Sequence, residues 1–167
     1  MPFGPASFDV VVNQETWCHS QSKAAYLKGV RRVLRRGGQF RSVDLARRDE
    51  IRSAGGLRRY RAVCEGFQVP SLVSEKDAIE HLTTAGFCDI SVVDMTAQVR
   101  RSALLILAFG AGPHLLSMMR LDRWIYGSDA RIAGHYRRHV AACMAFNQGL
   151  LSGEFRYLYV TARNPVA

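Results

Sequence analysis

Glu15 and His19 stand four residues apart in Gln14-Glu15-Thr16-Trp17-Cys18-His19, a segment rich in side chains that handle protons and cations. An imidazole suits proton removal around neutrality, so His19 is the first candidate base; its alternative is an exposed or helix-capping residue. Glu15 can act as a base or hold a cationic substrate or intermediate, or it can pair with an arginine. Trp17 offers an aromatic face to a sulfonium or carbocation, worth about 0.5–2 kcal/mol, and packing is its other use. Asp44 can hydrogen-bond a substrate or cap a helix. His135 and His139 have the one-turn spacing of metal ligands, but no third ligand accompanies them. Cys18, Cys64, Cys88 and Cys143 form no close pair, which argues for reduced thiols and against a metal.

These side chains need a scaffold. Phe8 to Gln14 (FDVVVNQ) is β-branched and apolar on successive positions, as in a strand buried in a parallel sheet. Apolar residues at Ala25, Leu27, Val30, Val33 and Leu34 then line one face of a helix over Ser22 to Arg35, with Ser20 or Ser22 as its cap and Gly37-Gly38 as its end. Gln39 to Leu45 is the next strand, completing a βαβ unit. Because ligands in open α/β sheets sit at strand carboxyl ends, Gln14, Glu15, Trp17, His19 and Asp44 share one edge.

Beyond Asp44, residues Ala46 to Glu65 read as a charged helix broken at Gly55-Gly56. A serine-capped helix over Ser74 to Thr84, a third strand over Cys88 to Met95 and a closing strand over Phe155 to Ala162 follow. Between the last two strands, Gln98 to Gly149 is helical with interruptions near Gly110 to Pro113 and at Gly127-Ser128. We expect residues 97–150 to form a substrate-binding helical lid within a single partial domain, 1–167. Trp124 and Tyr126 are its candidate substrate contacts, lining an apolar pocket or simply filling a core.

The 167 residues carry a formal charge of +9, mostly arginine in pairs such as Arg31-Arg32 and Arg35-Arg36. No aromatic-interleaved tract or nucleic-acid module accompanies them, so a solvated basic surface is expected and nucleic acid is not. The longest apolar run, around Ala103 to Gly112, is shorter than the roughly 20 residues a membrane span needs. It is expected to be a buried helix. With no signal-peptide pattern at Met1 to Pro5, the expected location is cytoplasmic.

Several segments resemble class I S-adenosylmethionine-dependent methyltransferases, nearest the sterol and tocopherol C-methyltransferase branch. Met1-Pro2-Phe3 with Ala6-Ser7-Phe8-Asp9-Val10-Val11 is similar to "LPF…ASFDVV" before and in that family's fourth strand. Glu15 to His19 resembles its "E-A-x-C-H" turn, Lys23 its "PDK", Arg32 to Gly38 its "RVLKPGG" with Arg36 in place of proline, and Ala85-Gly86-Phe87 its "AGF". The resemblance implies the C-terminal half of a Rossmann-like α/β fold, about four strands with the last antiparallel, in the family's order 4-5-7-6. It also implies methyl transfer to a small, apolar organic molecule, with Asn13 and Gln14 facing the cofactor.

The departure is as informative. The family grips S-adenosylmethionine with a glycine-rich turn after its first strand and an acidic residue ending its second, and this sequence contains neither. The Phe8 to Gln14 strand, central in the family, becomes an edge here. Such an edge invites pairing with a second copy or with a complementary N-terminal half. Besides a truncated or split methyltransferase, the sequence leaves open a cofactor-free cyclase or isomerase and a non-catalytic dimerising partner.

Overall fold

A computed structural model describes residues 1–119, 121 and 129–166. Four strands, β1 (Phe8–Gln14), β2 (Leu34–Arg47), β3 (Cys88–Asp94) and β4 (Phe155–Arg163), form one sheet in the order β1-β2-β4-β3. β1 and β2 are parallel and β3 and β4 antiparallel. This is the expected 4-5-7-6 order, with β1 at an edge. Five helices are described: α1 (Lys23–Val33), α2 (Ala54–Phe67), α3 (Glu75–Thr84), α4 (Thr96–Met118) and α5 (Ala130–Ser152).

The chain divides into two compact units, one of Met1–Glu50, Pro70–Thr96 and Arg156–Ala167, the other of Ile51–Val69 and Ala97–Phe155. In the first, Leu27 and Val30 of α1 and Ala78 and Leu82 of α3 pack with Phe40, Leu158 and Val160 of the sheet. Alternation in β1 sends Val11 and Asn13 to the same side and leaves Val10 and Val12 exposed on the other. Ser22 caps α1, and Ser74 with Asp77 makes a capping box at α3.

Local boundaries differ from the sequence reading in three places. α1 stops at Val33, because Leu34 is already extended and paired with Phe8. Gly37, at φ +76°, then absorbs a register shift between Phe8↔Leu34 and Val10↔Gln39, so the glycine pair shapes a bulge instead of ending the helix. β2 continues through Arg47, and Gly55-Gly56 lies in the first turn of α2 below the Ser53 cap, where no helix is interrupted.

The second unit holds the largest correction. α4 runs unbroken through Gly110 and Pro113, and it is not a buried helix. Ala103 and Ser117 are covered, while Leu105 and Phe109 are 57% and 78% exposed. A helix apolar on every side cannot hide all of them against one neighbour. By length and composition alone α4 could cross a membrane. α2 and α5 meet at Gly66, where a Cβ would collide with the Arg138 carbonyl oxygen. Phe67 packs edge-on against His139 and Phe146, which accounts for His139; His135 is exposed.

Candidate functional site

The turn after β1 is built from its backbone outward. The Glu15 N–H donates to the Val43 carbonyl (2.8 Å), extending the parallel ladder one residue past Gln14. The chain then reverses with Glu15 at φ +48°, a left-handed conformation that costs a residue with a Cβ about 1–2 kcal/mol. A single 3₁₀ turn, Trp17–His19, follows. Thr16 Oγ1 donates to the Gln14 carbonyl, and the His19 and Ser20 amides donate to the carbonyls of Thr16 and Trp17.

Two buried charged residues hold this turn from below. The Lys23 ammonium, at the start of α1, donates to the carbonyls of Cys18 (2.6 Å) and Ser20 (2.9 Å). Asp44, 3% exposed near the end of β2, accepts the Cys18 N–H on Oδ2 (3.2 Å) and the Leu45 N–H on Oδ1 (3.0 Å). Burial raises the Asp44 pKa, and the amide bonds from Cys18 and Leu45 offset part of that rise. Burial, then the neighbouring Asp44, pushes the Cys18 thiol up, so it stays protonated and unreactive.

Three residues expected to face ligand are therefore buried instead. Trp17 is 1% exposed, edge-to-face with Phe40 at 6.4 Å between ring centroids, and its ring belongs to the core. Asp44 serves the backbone of the turn. Asn13 alternates inward, where its Oδ1 accepts the Tyr26 hydroxyl (2.8 Å). Gln14, Glu15 and His19 are exposed along the strand edge. Trp124 and Tyr126 lie outside the described residues.

Glu15 has a partner the sequence did not announce. The Tyr157 hydroxyl, on β4, donates to Glu15 Oε1 at 2.5 Å, while Oε2 has no protein partner among the described residues. Burial, then the Glu15 carboxylate, raises the Tyr157 pKa, which keeps the phenol a donor throughout the physiological range. The available signal was the alternation in Phe155 to Ala162, which puts Tyr157 and Tyr159 on one face. What neither it nor the strand order could show was that Tyr157 stands at the register from which it reaches the β1 turn. A carboxylate fixed at one oxygen and open at the other can accept a proton or hold a cation.

Residues 1–41 match the methyltransferase domain family. The chain is 34% identical over 105 residues to the O-methyltransferase cnsE of Penicillium expansum, covering 63% of this chain and 37% of that protein. It is 32% identical over 100 residues to an O-methyltransferase of Pyrenophora dematioidea, covering 60% and 36%. Among solved structures, it is similar to phosphoethanolamine N-methyltransferase 2 of Haemonchus contortus at TM-score 0.67 and 18% identity, over 98% of this chain and 35% of that one. The chain thus spans a little over a third of the length of the curated relatives it matches.

Proposed function

We propose that this chain, which has the fold of the class I S-adenosylmethionine-dependent methyltransferases, is the acceptor-facing part of an enzyme that methylates a small, apolar organic molecule. The observation that carries the reading is Glu15, outward at the carboxyl end of β1 and oriented by Tyr157. In this reading Glu15 and His19 bind the acceptor and remove its proton, and Gln14 lines the cofactor side. Trp17, Asp44 and Lys23 fix the turn that presents them. Residues 97–150, with Trp124 and Tyr126, select the acceptor; the exposed Leu105 and Phe109 of α4 suit an apolar one.

The residues present fit one wall of a S-adenosylmethionine site and not its grip. Gln14 and Glu15 are exposed where the wall would be, Asn13 is turned to Tyr26, and the sequence holds neither the glycine-rich turn nor the ribose-binding carboxylate. The bound cofactor supplies the methyl group. Its remaining contacts come, in this proposal, from a second copy or an N-terminal half paired along β1. Sequence relatives that are O-methyltransferases favour methyl transfer over the cyclase reading.

Calorimetric titration with S-adenosylhomocysteine, alongside the oligomeric state, tests this. Micromolar binding by an oligomer supports a cofactor site completed between chains. A folded, well-behaved monomer that binds nothing, alone or mixed with an N-terminal methyltransferase half, sinks the reading.

A further inference from the structure

At the opposite, amino-terminal edge of the parallel strands lies a groove of about 400 Å³ that methyl transfer does not use. Lys28, Arg31 and Arg32 reach it from one face of α1, spaced i, i+3, i+4, and Arg36 reaches it from the start of β2. Among the described residues no acidic side chain lines it. Nearby Arg35 shows the contrast, since it is paired with Asp9 at 2.6 Å.

Three of the four groove cations are held without being neutralised. Arg31 donates from Nε to Asn164 Oδ1 (3.2 Å) and from Nη1 to the Ala85 carbonyl (3.3 Å). Asn164 is itself buried, its amide donating to the carbonyls of Leu34 and Arg35 (3.1 Å each). Gly86, at φ +84°, leaves room for this guanidinium: a Cβ there would stand 2.6 Å from Arg31 Nη1. Arg32 donates to the Met1 and Phe3 carbonyls and Arg36 to that of Val166. Lys28 makes no hydrogen bond or ion pair among the described residues. Among the described residues every partner of these cations is neutral, so like charges converge on one concavity with no described carboxylate to offset them.

We propose that this groove binds a soluble phosphate-class anion, a diphosphate or a phosphate ester. Guanidinium groups fixed by neutral acceptors keep N–H donors for charge-assisted bonds to phosphate oxygens, and the concavity suits a compact ligand. The α1 carboxyl-terminal dipole favours Arg31 and Arg32 where they are, but it does not account for Arg36 or for the absence of acids. The inference is independent of methyl transfer.

The test is titration with inorganic pyrophosphate at low and moderate salt. The variant Lys28→Gln/Arg36→Gln removes two exposed charges from the groove and leaves the Arg31–Asn164 network intact. Arg100→Gln/Arg131→Gln removes two exposed charges elsewhere. Wild type is expected to bind with 1:1 stoichiometry, the groove variant about tenfold more weakly or worse, and the control within about threefold of wild type. No binding, or equal weakening in both variants, overturns the proposal, the latter by assigning the effect to net charge. Binding to phosphatidylglycerol vesicles without binding to pyrophosphate overturns it as well.

Discussion

The Tyr157 hydroxyl reaches across the sheet to Glu15 at 2.5 Å, joining residues 142 positions apart in sequence. Glu15 at the same time holds a left-handed backbone, at φ +48°. Strain of this kind persists where the surroundings over-determine a side chain's direction. Glu15→Gly removes the strain and loses the Tyr157 bond, two effects of about 1 kcal/mol with opposite sign, so its stability should stay near wild type. Glu15→Val keeps the strain, adds a β-branch and loses the bond, and should be about 2 kcal/mol less stable than Glu15→Gly in urea denaturation. Equal stabilities would mean the turn is not strained.

The same contact has a spectroscopic reading. Burial and the Glu15 carboxylate both raise the Tyr157 pKa. In an alkaline absorbance titration Tyr157 should be among the last phenols to ionise, and Glu15→Gln should bring one tyrosine back toward its ordinary range. Superimposable curves for the two proteins would dissolve the pairing.

Asp44 yields a pH dependence. Burial raises its folded-state pKa, so the folded protein holds that proton more tightly than the unfolded chain. Its contribution to stability is present below the unfolded value of about 4 and is lost as pH rises through the folded value. The stability difference between wild type and Asp44→Asn should therefore fall as pH rises from about 4, then level off. A difference that grows with pH would reverse the assignment. Asp44→Ala, which leaves the Cys18 and Leu45 amides without their acceptor, should cost about 2–4 kcal/mol near pH 4 and less as pH rises, in parallel with Asp44→Asn.

How much of this was legible follows from the range of the forces involved. The βαβ unit, the Ser74 cap and the strand order were readable because periodicity and capping are local, and because the resemblance carried the order. Asn13, Trp17 and Asp44 lie near the carboxyl ends of the parallel strands, and all three are buried instead of facing outward. Strand alternation could have turned Asn13 inward beside Val11. Nothing local, however, separates a tryptophan that faces ligand from one that packs on Phe40. Tyr157 was missed as a partner for Glu15 because strand order alone does not give the register that brings its hydroxyl to the β1 turn. The exposure of α4 was misjudged for the converse reason, since apolar composition reports what a helix prefers and not whether a neighbour covers it.

Glu154 anchors the second unit. Arg59 donates to it through Nε and Nη2, both at 2.6 Å, and Ser53, the cap of α2, adds a third bond. Burial pushes the carboxyl up, but the bonds from Arg59 and Ser53 outweigh it and hold the pKa below the usual range. That stability is present above the unfolded value of about 4.3 and is lost as pH falls through the folded value. Glu154→Gln should be about 1–2 kcal/mol less stable at neutral pH and converge with wild type in acid. A constant gap across pH would assign the loss to packing.

β1 is an edge strand, with Val12 71% and Val10 44% exposed on the face away from α1. In an isolated monomer these are surface positions, and lysine there should change stability by no more than about 0.5 kcal/mol. If β1 pairs with another chain, lysine at both positions places charges into that contact and opposes it, as charged edge strands oppose aggregation in other sheets. The chain should accordingly elute as an oligomer in size-exclusion chromatography coupled to light scattering, and Val10→Lys/Val12→Lys as a monomer with an unchanged circular dichroism spectrum. Any affinity for S-adenosylhomocysteine that depends on pairing should disappear with the oligomer. A wild-type monomer, or a lysine variant that assembles as wild type does, would detach the cofactor question from this edge and require the missing contacts to come from elsewhere.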